Sequence, residues 1–155
     1  MGTMNFDELK VILVPTDFSE ISAGALGAAV RLAQAFHASI EVFNVNIDPA
    51  LVLPPPADVL PRPVAFEHIL EETAEKLERV VAEVRQAGVD CTSASELGRS
   101  SSAIVEEARR SSAGLIVMGS HGRHGLGHLL LGSVAEKVVE HAPCPVLVVP
   151  APPKS

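Results

Sequence analysis

Tryptophan and tyrosine are absent from this sequence, and phenylalanine occurs five times in 155 residues. A protein that reads nucleic acid by stacking needs aromatic platforms, so that class is disfavoured. Basic residues are also scarce: 12 Lys and Arg stand against 19 Asp and Glu, a formal net charge of -7. A field of that sign draws in neither DNA nor an anionic membrane surface. Phosphate would have to be held locally, by backbone N–H groups. Cys91 and Cys144 are the only two cysteines and form no Cys-x-x-Cys pair; they read as half-buried thiols of a reducing compartment rather than a disulfide framework. No apolar run approaches the roughly 18 residues of a membrane span. The opening MGTMNFDELK has no signal-peptide core. These absences predict a cytoplasmic protein.

What is present is apolar content of 47%, mostly Ala, Val, Leu and Ile. That excludes disorder, and 155 residues suit a single domain spanning the whole chain. Val11–Val14, stopped by Pro15, reads as a strand buried on both faces. Ser19 or Ser22 can cap a helix to about His37, with Leu26, Ala29, Val30, Ala33 and Phe36 at helical spacing. Ser39–Val45 is a second strand. Six prolines from Pro49 to Pro63 mark residues 48–63 as a loop. A helix over about Val64–Ala87 follows, its stripe running Phe66, Ile69, Leu70, Thr73, Leu77, Val80, Val81 and Val84. Glu72/Lys76 and Glu75/Arg79 are spaced as ion pairs on the other face. Gly88 suits the position after its end. Val89–Leu97 is a polar, edge-type strand. Ser100–Ser102 offer caps for a helix through Arg110, and Leu115–Met118 is another buried strand. Ser133 can open a helix to His141 with Val134, Val138 and Val139 inward, and Val146–Val149 is the last strand. Strands alternating with helices predict an α/β fold, a parallel sheet with helices on both faces.

The chemistry concentrates between Gly119 and Ser133. Gly119, Gly122, Gly125, Gly127 and Gly132 lie in a loop from the carboxyl end of a strand to a helix start, where open α/β sheets bind ligands. Glycines allow close backbone approach and positive φ, and a helix N-terminus favours phosphate. The chain contains no Gly-Lys-Ser/Thr of a Walker loop, and Leu130 stands where a dinucleotide fingerprint needs its third glycine. His121, His124 and His128 invite a metal reading. The intervening glycines disfavour the regular helix that would align them, and no Cys or carboxylate is near in sequence.

The spacing Gly119-x2-Gly122-x9-Gly132-Ser133 resembles that of the universal stress protein family, whose ATP-binding members carry this pattern. Val14-Pro15-Thr16-Asp17-Phe18-Ser19, Ile116–Gly122 and Ala142–Val149 resemble further segments of that family in the same order. The resemblance implies a Rossmann-like fold of the adenine nucleotide alpha hydrolase type, with five parallel strands in the order 3-2-1-4-5. It also implies ATP, with Mg²⁺, over the ends of the first and fourth strands. Pro15, Thr16 and Asp17 match the nucleoside-lining segment, Val45 the backbone at the adenine edge, and Met118 and Gly119 the floor near the ribose. Gly122, Gly132, Ser133 and Val134 match the phosphate cradle; His121 and Arg123 lie in the same loop. Ala135 departs from relatives that have a hydroxyl there. The resemblance further implies a homodimer through Val146–Val149, a short apolar edge strand.

Two function classes follow: an ATP-binding stress-response or signalling module with hydrolysis absent or very slow, and an ATP-hydrolysing enzyme on the same architecture. A relative that has lost nucleotide binding is a third reading. The loop offers neither lysine nor carboxylate for phosphoryl transfer, which favours the module; His121 is the best available base.

Overall fold

The computed structural model describes residues 6–47, 63–121 and 131–153. Five strands alternate with four helices. They are β1 (Val11–Pro15), α1 (Glu20–Phe36), β2 (Ser39–Asn46), α2 (Pro63–Gln86), β3 (Cys91–Leu97), α3 (Ser100–Arg110), β4 (Leu115–Gly119), α4 (Ser133–His141) and β5 (Val146–Val149). All pairings are parallel, and the sheet order is β3-β2-β1-β4-β5. Both sequence-level expectations, the α/β class and the 3-2-1-4-5 order, hold. The proline-rich loop lies outside the described residues except for Pro63, which opens α2.

The two-sided apolar character of β1 has a direct structural reason. Ile12 and Val14 enter a core with Ala25, Ala29 and Ala33 of α1 and Leu77, Val81 and Val84 of α2. Leu13 points the other way, into a core with Ile104 and Ala108 of α3 and Ala135 and Val138 of α4. Successive strand residues face opposite sides, so a central strand covered on both faces must be apolar throughout. The register pairs Val14 with Val42 and Pro15 with Phe43, and Thr16 N–H continues the ladder to the Phe43 carbonyl at 2.8 Å. The carboxyl ends of β1 and β2 are thereby level, which sets the rim on which the site is built.

Several local expectations change. Val139 is 48% exposed rather than inward, and Ile69 and Leu70 of the α2 stripe are also exposed. Glu72 pairs with His68 at 3.5 Å, while Lys76 lies 5.5 Å from the centroid of the Phe18 ring; the Glu75–Arg79 pair does form, at 3.8 Å. The cap of α3 is Arg99, with Ser100–Ser102 inside the first turn, and the cap of α4 is Gly132 rather than Ser133. In both cases hydroxyl-rich sequence marks the start of a helix, but the chain enters the helix one residue earlier.

Candidate functional site

The β1–α1 turn is held by its own side chains. Thr16 Oγ1 accepts from Phe18 N–H at 3.0 Å and lies 3.1 Å from Ser22 Oγ. Asp17 Oδ1 accepts from Ser19 N–H at 3.0 Å, and Ser19 Oγ caps α1 by accepting from Ser22 N–H at 3.2 Å. These bonds hold Phe18 at φ 62°, a region costly for a bulky residue unless its surroundings impose it. Asp17 therefore performs the turn role that its spacing before Ser19 suggested. It also lines the neighbouring cleft.

That cleft has a volume of about 880 Å³ and lies across the carboxyl ends of β1, β2 and β4. Pro15, Thr16 and Asp17 line it from β1 and its turn, Val45 from β2, and Met118, Gly119 and His121 from β4 and the residues after it. Gly132, Ser133 and Val134 line it from the start of α4. Gly122 and Arg123 lie outside the described residues, as do His124 and His128. Among the described residues, no cluster of three or more His, Cys, Asp or Glu side chains could hold a metal ion.

The two glycines described in the loop act through space rather than through positive φ. A Cβ on Gly119 would lie 2.6 Å from Ile21 Cγ2, so glycine there lets the end of β4 pass under the first turn of α1. A Cβ on Gly132 would lie 3.1 Å from the Ser120 carbonyl, whose oxygen already accepts from Gly132 N–H at 2.8 Å. The beginning and end of the loop are thus clasped together. Among the described residues, neither α3 nor α4 has a side-chain cap, which leaves their first N–H groups suited to solvent or to an anion. His121 Nδ1 is 3.0 Å from Ser120 Oγ, and this contact orients the ring at the cleft wall.

Sequence reasoning missed the asparagines of β2. Asn44, buried in the same wall, donates from Nδ2 to the Thr16 carbonyl at 2.8 Å and ties the end of β1 to β2. Asn46 Oδ1 accepts from Thr73 Oγ1 of α2 at 3.1 Å. Polar residues at the end of an otherwise apolar buried strand were the available signal. On the opposite side of β2, burial and a hydrogen bond with Glu107 push the Glu41 carboxyl up to about 7, offset in part by Arg110. Arg110 also binds Glu107 through Nε at 2.9 Å.

Comparison with known proteins places this geometry among relatives. The model of the universal stress protein family matches residues 8–150. The chain is 38% identical over 146 residues to the universal stress protein MJ0531 of Methanocaldococcus jannaschii, covering 94% of this chain and 84% of that protein. The solved structure of MJ0577, from the same organism, superposes with a TM-score of 0.77 at 29% identity, over 94% of this chain and 99% of that one. A universal stress protein from Archaeoglobus fulgidus, solved in complex with dAMP, shares the fold with a TM-score of 0.63 at 21% identity, over 91% of this chain and 97% of that one.

Proposed function

The chain belongs to the universal stress protein family, and on that premise we propose that it is an ATP-binding stress-response module whose output is binding rather than turnover. The observation that carries this reading is the convergence of separate segments. Residues from β1, β2, β4 and the start of α4 line one cleft, although they are far apart in the chain. Asp17, Thr16 and the β2 end form the nucleoside side. Gly132, Ser133 and Val134 form the phosphate side, where uncapped backbone N–H groups suit an anion. A Cβ at Gly132 would crowd this cradle. The dAMP complex of the Archaeoglobus fulgidus protein is consistent with an adenine nucleotide in this fold.

Mg²⁺ would come with the nucleotide, since among the described residues no side-chain cluster could hold a metal ion by itself. Donors that hold ground state and transition state equally give affinity without rate. His121 is the one base at the described wall of the phosphate side, and Ser120 already engages its Nδ1. The homodimer belongs to the same proposal. Among the described residues β5 pairs with β4 alone, and its Leu147 is 40% exposed, so its outer edge suits pairing with a second copy.

Mass spectrometry of nucleotide released from the denatured protein, followed by calorimetry with ATP and Mg²⁺, tests the assignment. Phosphate release of the order of 1 s⁻¹ or faster, within the ordinary enzyme range, would favour the enzyme reading. Light scattering at micromolar concentration tests the dimer.

A further inference from the structure

A second, smaller cavity of about 270 Å³ opens between the first turns of α3 and α4. It is continuous with the cleft: Ile47, Ser100, Ser133 and Val134 line both. Its remaining wall carries two cations, Arg99 at the cap of α3 and Lys137 in the second turn of α4. Among the described residues, neither side chain has an ion pair. Arg79, Arg109 and Arg110 are each matched by a glutamate on their own helix, whereas Arg99 and Lys137 share one cavity. In an acidic chain, the cavity thus gathers two cations from two helices. Lys137 lies one turn beyond Ser133, so its stem runs back over that residue towards the helix start.

We propose that this cavity receives the terminal phosphates of a nucleoside triphosphate, and that Arg99 and Lys137 determine the preference for triphosphate over monophosphate. The proposal rests on the nucleotide reading of the larger cleft. A ligand lying along the cleft with its phosphates at Ser133 and Val134 runs out of cleft at the residues the cavity shares. Among the described residues of the cavity, the charged groups beyond them are Arg99 and Lys137. A monophosphate ends before them. The N–H groups of the two uncapped helices add positive partial charge to the same cavity, and an Arg fork suits a phosphate with two free oxygens.

Calorimetry with ATP and with AMP, each with Mg²⁺, tests this on the wild type, Arg99→Ala, Lys137→Ala and the double variant. Both side chains are exposed, so the variants should fold, and circular dichroism checks that they do. The wild type should bind ATP at least ten-fold more tightly than AMP. Each single variant should weaken ATP about ten-fold, the lower range for a hydrogen bond to a charged group, while AMP changes less than about two-fold. The Arg99→Lys, Lys137→Arg variant should keep most of the preference, since it keeps both charges. Equal affinity of the wild type for ATP and AMP, or an unchanged preference in the double variant, overturns the subsite but leaves the nucleotide reading intact. Failure of the wild type to bind either nucleotide overturns both.

Discussion

The start of α1 and the starts of α3 and α4 stand on the same rim and are built oppositely. At α1, polar side chains satisfy the turn itself: Thr16 serves Phe18, Asp17 serves Ser19, and Ser19 serves Ser22. At α3 and α4 the cap residues are Arg99 and Gly132, and among the described residues neither helix has a side-chain cap. A helix end that satisfies itself is a fixed wall. One left open is a latent anion site. The difference teaches that the anion chemistry on this rim belongs to the helix starts that the sequence leaves incomplete.

The sharpest way to break the contrast is to fill the open end. Gly132→Val should lower ATP affinity by about two orders of magnitude or more, because the new side chain meets the Ser120 carbonyl at the cradle. Its circular dichroism spectrum should remain that of the wild type. Calorimetry showing wild-type affinity would remove the glycine from the site. Gly119→Val attacks the closed end instead. Its Cβ would overlap Ile21 in the first turn of α1, so urea unfolding should show a loss of roughly 1–3 kcal/mol, the usual range for overpacking.

Removing the α1 cap with Ser19→Ala should lower stability by about 1 kcal/mol while leaving ATP affinity within about two-fold. A large loss of affinity with normal stability would mean that the closed end touches the ligand through Ser19. Arg99→Asp sharpens the comparison in the other direction. An acidic cap completes α3 and should raise stability by about 0.5–1 kcal/mol, measured by urea unfolding, while weakening ATP.

The smallest effect concerns Glu41, beneath α3. Its carboxyl, at about 7 in the fold against 4.5 for the free group, holds its proton more tightly when folded. The stability it contributes is therefore fully present below pH 4.5 and is lost as pH rises through 7. Glu107 and Arg110 face it from α3, and Glu96 of β3 acts on Arg110. Glu41→Gln cannot ionise and should flatten the decline in melting temperature between pH 5 and 8. An unchanged profile would mean that the proton sits elsewhere in the cluster.

The order of elements was legible because each strand and helix carries its own period. Both-face apolar runs such as Val11–Val14 and Leu115–Met118 suit central strands of a covered sheet, which they are. The glycine spacing and Asp17 were legible as local chemistry. Helix caps were read one residue late at α3 and α4, because hydroxyl residues favour several positions of a first turn and only the path of the incoming chain selects among them. Val139 was placed inward because helical period gives a stripe but not its width, and the four-residue β5 leaves that side of α4 uncovered.

The sequence by itself determined the family resemblance, the alternation of strand and helix and the residue types available to a phosphate. The tertiary structure decided which of those residues meet. The parallel register levels β1 with β2, so Asn44 can hold the Thr16 carbonyl. The crossovers bring the starts of α3 and α4 to one cavity, so that Arg99 and Lys137, 38 positions apart in the numbering, both line it. Local propensity acts over a few residues, whereas a binding site depends on distances that only the closed sheet and its packed helices fix.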